Sequence, residues 1–168
     1  MPAPSAEAVD SLDAQLIVLL AAEPRIGVLE ASRRLSVARG TVQARLDRLR
    51  RRGVIRGFGP DIDTTALGYS VTAFATLEIR QGRGRDVSGH LAGIPEVLEV
   101  HTITGPGDLW CRVVARSNTD LQRVLDTVVS YPGIERSATV ISLTSQIQHR
   151  MLPLVAEAAH LSGRGGHL

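Results

Sequence analysis

At Gly53 the chain changes its periodicity, and that change fixes what it can fold into. Upstream, apolar residues recur at helical spacing. Leu12, Leu16, Leu19 and Leu20 share one face of VDSLDAQLIVLLAAEP, with Asp10 or Ser11 as N-cap and Pro24 beyond its end. A shorter helix is predicted over IGVLEASRRL (26–35), and a third from about Ala38 to Arg52, closed by Gly53 just past its C-cap. Downstream the pattern is that of strands and turns. VIRGF (54–58) reads as a short strand and PDIDTTALG as a turn-rich connection. Strands are predicted over YSVTAFATLEI (69–79), VLEVHTIT (97–104) and LWCRVVA (109–115), and from Ile134 through Leu143. QGRGRD is a loop opening a helix from about Val87 to Ala92, GPGD is a tight turn, and Ser117 or Asn118 caps a helix through Val129.

HLAGIPEVLEVHTIT and VVSYPGIERSATVISLT form a weak internal repeat, each running from a helix through Pro or Pro-Gly into a strand. Two β-α-β units in tandem describe a ferredoxin-like βαββαβ sheet, whose helix-free face commonly dimerises. The predicted fold class is α+β: an N-terminal winged helix-turn-helix over residues 9–60 joined to a C-terminal ferredoxin-like βαββαβ domain over 61–150. Residues 1–8 are expected to be a disordered leader. Residues 151–168 are expected to be a tail, with the apolar patch MLPLVAEAAHL running into a Gly-rich, frayed end.

Charge is unevenly placed on this scaffold. Residues 1–60 hold ten Arg against six acids, a net +4, whereas residues 61–168 hold nine Arg against eleven acids, a net −2. Residues 38–58 alone carry seven arginines and one aspartate. Such a cluster is a solvated helix face, a disordered basic tail, or the footprint of a polyanion, and its confinement to the N-terminal block points to an anionic partner for that block. No stretch reaches the ~20 apolar residues of a membrane span, and the N-terminal residues lack the pattern of a secretory signal. The single cysteine, Cys111, leaves no intrachain disulfide and no multi-cysteine metal site. A cytoplasmic protein with no membrane partner, no metal and no cofactor is expected.

On a helical wheel, Val42, Leu46 and Leu49 fall within about 60° of one another and face the core. Thr41, Arg45, Arg48 and Arg52 form a stripe beside them, and Arg39 and Arg50 lie on the opposite flank. The outward face carries Gly40, Ala44, Asp47 and Arg51, with Gln43 at its edge. Small residues on the crest with arginines on both shoulders suit a helix that sinks into a major groove while its shoulders meet phosphates. The predicted DNA-binding residues are Arg39, Gly40, Thr41, Gln43, Ala44, Arg45, Arg48 and Arg52. Asp47 either pairs with Arg51 or reads a cytosine amino group.

In TGPGDLW, Gly105 and Gly107 permit positive φ and expose backbone N–H groups of the kind that bind a carboxylate, while Asp108 could hold an α-ammonium. The alternative is an ordinary tight hairpin with Asp108 as a turn former. Cys111 is read as a buried core thiol, His101 as a packing or hydrogen-bonding residue, and Trp110 as lining either a pocket or an interface. No Ser-His-Asp set, Walker loop or HExxH occurs. The loop from Arg80 to Arg85 lacks the Gly-Lys-Ser/Thr ending of a phosphate-binding loop and reads as a solvated turn.

Taken in order, Asp10-x-x-Asp13, the run IGVLEASRRLSVARGTVQARLDRLRRRGVIRGF, and a βαββαβ domain with TGPGD in its central hairpin resemble the Lrp/AsnC (feast/famine) transcriptional regulators. The similarity covers about residues 9–150 and includes Arg45-x-x-x-Leu49-x-x-x-Gly53-x-Ile55. The resemblance implies binding of double-stranded DNA by a homodimer that assembles to an octamer, and a C-terminal domain that senses amino acids or related small molecules. It implies an effector pocket drawn from Thr104, Gly105, Gly107, Asp108 and Leu109, with Ser137 and Thr139 from the last strand. The chain departs from the family where Gly usually occupies the helix-turn-helix turn and Ser caps the recognition helix; those places hold Ser36 and Ala38, and Ser36 would then be the cap. Aromatics usual around the aspartate are replaced by Gly107 and Leu109. A sequence-specific, effector-responsive transcription regulator with no enzymatic activity is expected. A siroheme-decarboxylase-like enzyme and an effector-independent architectural DNA protein are the alternatives.

Overall fold

The computed structural model describes residues 9–164, with side chains placed as far as His160. The leader expected over residues 1–8 lies outside the described residues, as does the end of the Gly-rich segment. The chain divides into two compact units. One runs to Pro60 and resumes at Gln148; the other is Asp61–Ile147.

The first unit contains α1 (Ser11–Ala22), α2 (Val28–Arg34) and α3 (Arg39–Arg51). Asp10 is the N-cap of α1, and its carboxylate accepts from the Asp13 amide at 2.9 Å. Leu16, Ala31, Val42 and Leu49 form the buried centre of the three helices. At the end of α3 the Val54 N–H donates to Leu49 O at 3.0 Å and the Gly53 N–H to Arg50 O at 2.9 Å, with Gly53 at φ +71°. This is the paired-bond helix stop that needs a left-handed residue.

α2 stops the same way. The Val37 N–H donates to Ser32 O and the Ser36 N–H to Arg33 O, so the left-handed residue is Ser36, at φ +54°. Ser36 therefore ends α2 rather than capping α3, whose N-cap is Ala38 with no side-chain bond. A side chain in the left-handed region costs about 1–2 kcal/mol, part of which glycine gives back through its freer unfolded chain. Ser36→Gly is expected to raise unfolding stability by about 1 kcal/mol. Urea denaturation measures this, and an unchanged or lower midpoint would contradict the strain argument.

The strand expected over 54–58 does not form. A strand requires a partner for its backbone groups, and all four strands among the described residues belong to the second unit. The tail differs in the other direction. It holds α6 (Leu152–Arg164), which runs against α1. Pro153 sits in the first turn, where a missing N–H is harmless, and Val155, Ala158 and Ala159 are half-buried at helical spacing.

The second unit contains β1 (Val71–Ile79), α4 (Gly84–Ala92), β2 (Val97–Thr102), β3 (Leu109–Ala115), α5 (Asn118–Val129) and β4 (Ile134–Ser142). Ser117 caps α5 by accepting from the Asp120 amide at 3.1 Å. The sheet order is β2-β3-β1-β4 with antiparallel neighbours, the ferredoxin-like βαββαβ arrangement. Alternation sends Ala73, Ala75 and Leu77 of β1 and Leu109, Cys111 and Val113 of β3 into a core completed by Val87, Leu91, Leu121, Val124 and Val128 of the helices. Burial pushes the Cys111 thiol up to about 11, so it stays protonated at neutral pH and acts as a small apolar residue.

Candidate functional site

In the first unit the candidate surface is α3. Val42 and Leu49 turn inward, while Arg39, Gly40, Thr41, Gln43, Ala44 and Arg51 are exposed. Gln43 Nε2 donates to Asp47 Oδ1 at 3.0 Å, so Asp47 pairs one turn back with Gln43 rather than forward with Arg51. Arg50 lies over the Phe58 ring, 5.7 Å from its centroid. That cation–π contact anchors the irregular segment after Gly53 to the flank of α3.

The shoulder formed by Arg45 and Arg48 has a different occupation from the one expected. The Asp13 side chain is fully buried, and its Oδ1 accepts from Arg45 Nη1 at 3.0 Å while its Oδ2 accepts from Arg48 Nη2. Asp10 Oδ2 accepts from Arg45 as well. Both guanidinium groups are half-buried. Carboxylates of α1 hold both arginines against the inner side of α3, so any phosphate they meet would share them with Asp10 and Asp13. Arg52 is half-buried too, at the C-cap of the same helix.

Burial of Asp10 works to raise its pKa, but hydrogen bonds from Arg45 and the Asp13 amide, with the charges of Arg45 and Arg48, hold its carboxyl below the ordinary value. On the other side of the pair, the bond to Asp10 is the largest influence holding the Arg45 guanidinium above its ordinary value.

In the second unit the β2–β3 hairpin carries TGPGD. Gly105 and Gly107 have φ of +110° and +93°, as a left-handed turn requires. A Cβ on Gly107 would lie 2.4 Å from Thr76 Cγ2 and 3.2 Å from Leu77 O, so glycine lets the turn rest directly on β1. Asp108 stitches the contact. Its N–H donates to Leu77 O at 2.8 Å, and its Oδ2 accepts from the Ile79 N–H at 2.8 Å, where β1 and β4 shift register. Asp108 thus ties the hairpin to β1.

The same carboxylate lines a cleft of about 620 Å³, within the ~300–1,000 Å³ range of small-molecule sites. Leu109, Thr102 and Ile79 supply its floor, and the loop through Arg80, Gln81 and Gly82 forms one wall. Gly84, Arg85 and Ser88 of α4 supply another. Of the residues expected at an effector pocket, Asp108 and Leu109 line this cleft. Thr104, Gly105 and Gly107 belong to the adjoining turn, and Ser137 and Thr139 lie on β4 opposite Leu77 and Ala75, outside the lining. The Arg80–Arg85 segment is the exposed turn that the sequence predicts, and all of it but Arg83 also lines the cleft. Its signal was present: a Gly-rich loop at a helix start, with two arginines flanking it.

Trp110 stacks on Phe74 at 5.0 Å and meets His101 at 5.6 Å, on the sheet face opposite the helices and away from the cleft. Glu99 Oε2 is 3.4 Å from His101 Nε2. No group of three potential metal ligands occurs among the described residues, and no helix among them is long and apolar enough to cross a membrane.

A helix-turn-helix unit joined in one chain to a ferredoxin-like unit is the architecture of a ligand-binding transcription factor. The AsnC-type helix-turn-helix domain matches residues 9–50, and the Lrp/AsnC ligand binding domain matches residues 72–152. The HTH-type transcriptional regulator FL11 of Pyrococcus horikoshii is 32% identical over 146 residues, covering 87% of this chain and 97% of that protein. The structure of E. coli AsnC superposes with a TM-score of 0.80 at 24% identity, covering 86% of this chain and 99% of that one. A feast or famine regulatory protein from M. tuberculosis, complexed with L-methionine, is 26% identical with a TM-score of 0.75, covering 85% and 97%. The chain belongs to the Lrp/AsnC family of transcriptional regulators.

Proposed function

We propose that the protein regulates transcription by setting α3 into the major groove of double-stranded DNA, and that an amino acid or related small molecule in the cleft beside Asp108 modulates this binding. The observation that carries the reading is the exposure of Arg39, Gly40, Thr41, Gln43 and Ala44, across the crest and shoulders of a helix whose inner side is clamped to α1. Small residues let the helix axis approach the bases, Gln43 offers an amide to a base edge, and Arg39 meets a phosphate at the shoulder. Arg52 adds charge at the far end, and Arg45 and Arg48 orient the helix from behind.

Occupation of the M. tuberculosis relative by L-methionine supports an amino-acid class of effector. The exposed sheet face, with the Phe74–Trp110 stack and Val140 at 64% exposure, supports a homodimer formed through that face, and the family resemblance extends this to an octamer. Arg39→Ala is expected to weaken binding to operator and random duplexes alike and to flatten the salt dependence of log K by about one unit. Fluorescence anisotropy across a salt series measures both. An unchanged slope would remove Arg39 from the interface.

A further inference from the structure

The cleft beside Asp108 has an uneven charge balance: Arg80 and Arg85 face one acid, Asp108. Arg80 reaches Glu135 at 3.4 Å, but both side chains are more than half exposed, so water screens that pair and leaves the guanidinium available. Arg85 is exposed and makes no ion pair with any described residue. Asp108 binds the Ile79 amide through Oδ2, which leaves Oδ1 as an acceptor. Ile79 and Leu109 also line the cleft and give it apolar surface suited to a short aliphatic chain.

A neutral zwitterion satisfies Asp108 with its ammonium and one arginine with its carboxylate. The second arginine is then left facing a ligand with nothing to offer it. A ligand with a second carboxylate meets all three charges. Resting on the effector reading of this cleft, we infer that it takes an acidic α-amino acid, with the α-ammonium at Asp108 and the two carboxylates at Arg80 and Arg85. Planar guanidinium groups suit carboxylates through paired N–H bonds. A neutral amide in place of the side-chain carboxylate keeps the shape and forfeits the charge-assisted bond, so discrimination resides in charge rather than size.

Calorimetry and thermal shift on the full-length protein, at matched ionic strength, test this with L-glutamate, L-aspartate, L-glutamine, L-asparagine and L-methionine. Each acidic amino acid is expected to bind at least tenfold more tightly than its amide. Arg85→Gln is expected to bring glutamate and glutamine within about threefold of each other. Circular dichroism of that variant confirms the fold, since Arg85 is a surface residue. Equal affinity for glutamate and glutamine overturns the acidic assignment. So does tighter binding of methionine that is abolished by Asp108→Asn, but that result leaves the cleft standing as an effector site. If none of the five binds, the acidic assignment falls together with the amino-acid reading of the cleft.

Discussion

Asp13→Ala is expected to lower the unfolding free energy by about 3 kcal/mol, at the lower end of what breaking a buried ion pair costs. The Asp13 side chain is fully buried and accepts from both Arg45 and Arg48, so its removal strands two half-buried cations beside a lone Asp10. Partial access of both guanidinium groups to water keeps the loss from being larger. Pairing the change with Arg48→Met removes one of the stranded charges, and the double variant should be less destabilised than the sum of the single ones. Urea denaturation of the four proteins in the cycle measures the coupling, and additivity within about 0.5 kcal/mol would refute the clamp. The clamp also has a pH signature. The Asp10 carboxyl titrates below its ordinary value of 3.8 in the folded chain, so its contribution is complete above that value and disappears as pH falls through the lower folded value.

Gly107→Ala is expected to cost about 3–4 kcal/mol, the sum of a left-handed alanine and an overpacked contact. The new methyl group would sit 2.4 Å from Thr76 Cγ2, which can move, and 3.2 Å from the Leu77 carbonyl, which is held in the sheet. Gly105 provides the internal control. It has a positive φ as well, +110°, but nothing lies within 4 Å of the place its Cβ would occupy. Gly105→Ala should therefore cost only the backbone share, about 1–2 kcal/mol. Equal losses at the two positions would show that the turn does not rest on β1. Adding Thr76→Ala to Gly107→Ala should recover part of the loss, since it removes the closer contact and leaves the backbone strain.

The elements with strong local signals were legible in the sequence. The capping positions of α1 and α5, each open to one of two adjacent residues in sequence and taken by Asp10 and Ser117, Gly53 as a helix stop and the GPGD turn state their conformation within a few residues. What the wheel could not supply was the surroundings of a stripe. It placed Arg45 and Arg48 beside the core but carried no information about which neighbour faces them. The clue was the matching spacing of Asp10-x-x-Asp13 and Arg45-x-x-Arg48, two pairs three residues apart that can register across two packed helices. Ser36 was misread because a serine before a helix is usually a cap, whereas here tertiary geometry demands a left-handed residue at the end of the preceding helix. The cleft wall at Arg80–Arg85 was hidden for a similar reason, since a Gly-rich basic loop looks the same in sequence whether it bounds solvent or a cavity.

The course of the chain makes the DNA-binding unit discontinuous, with the ligand-binding unit inserted between Pro60 and Gln148. α6 docks on α1 from the far side of that insertion, so its docking is a ring closure whose closing segment is itself a folded domain. While Asp61–Ile147 is folded, its sheet shortens the loop that α6 must close, and the closure costs less entropy. When it unfolds, the same residues become a long flexible loop and the closure entropy opposes α6. Anything that stabilises the inserted unit therefore also strengthens the grip of α6 on α1. The two units are thus thermodynamically linked through the covalent chain itself, with no side chain required to pass between them.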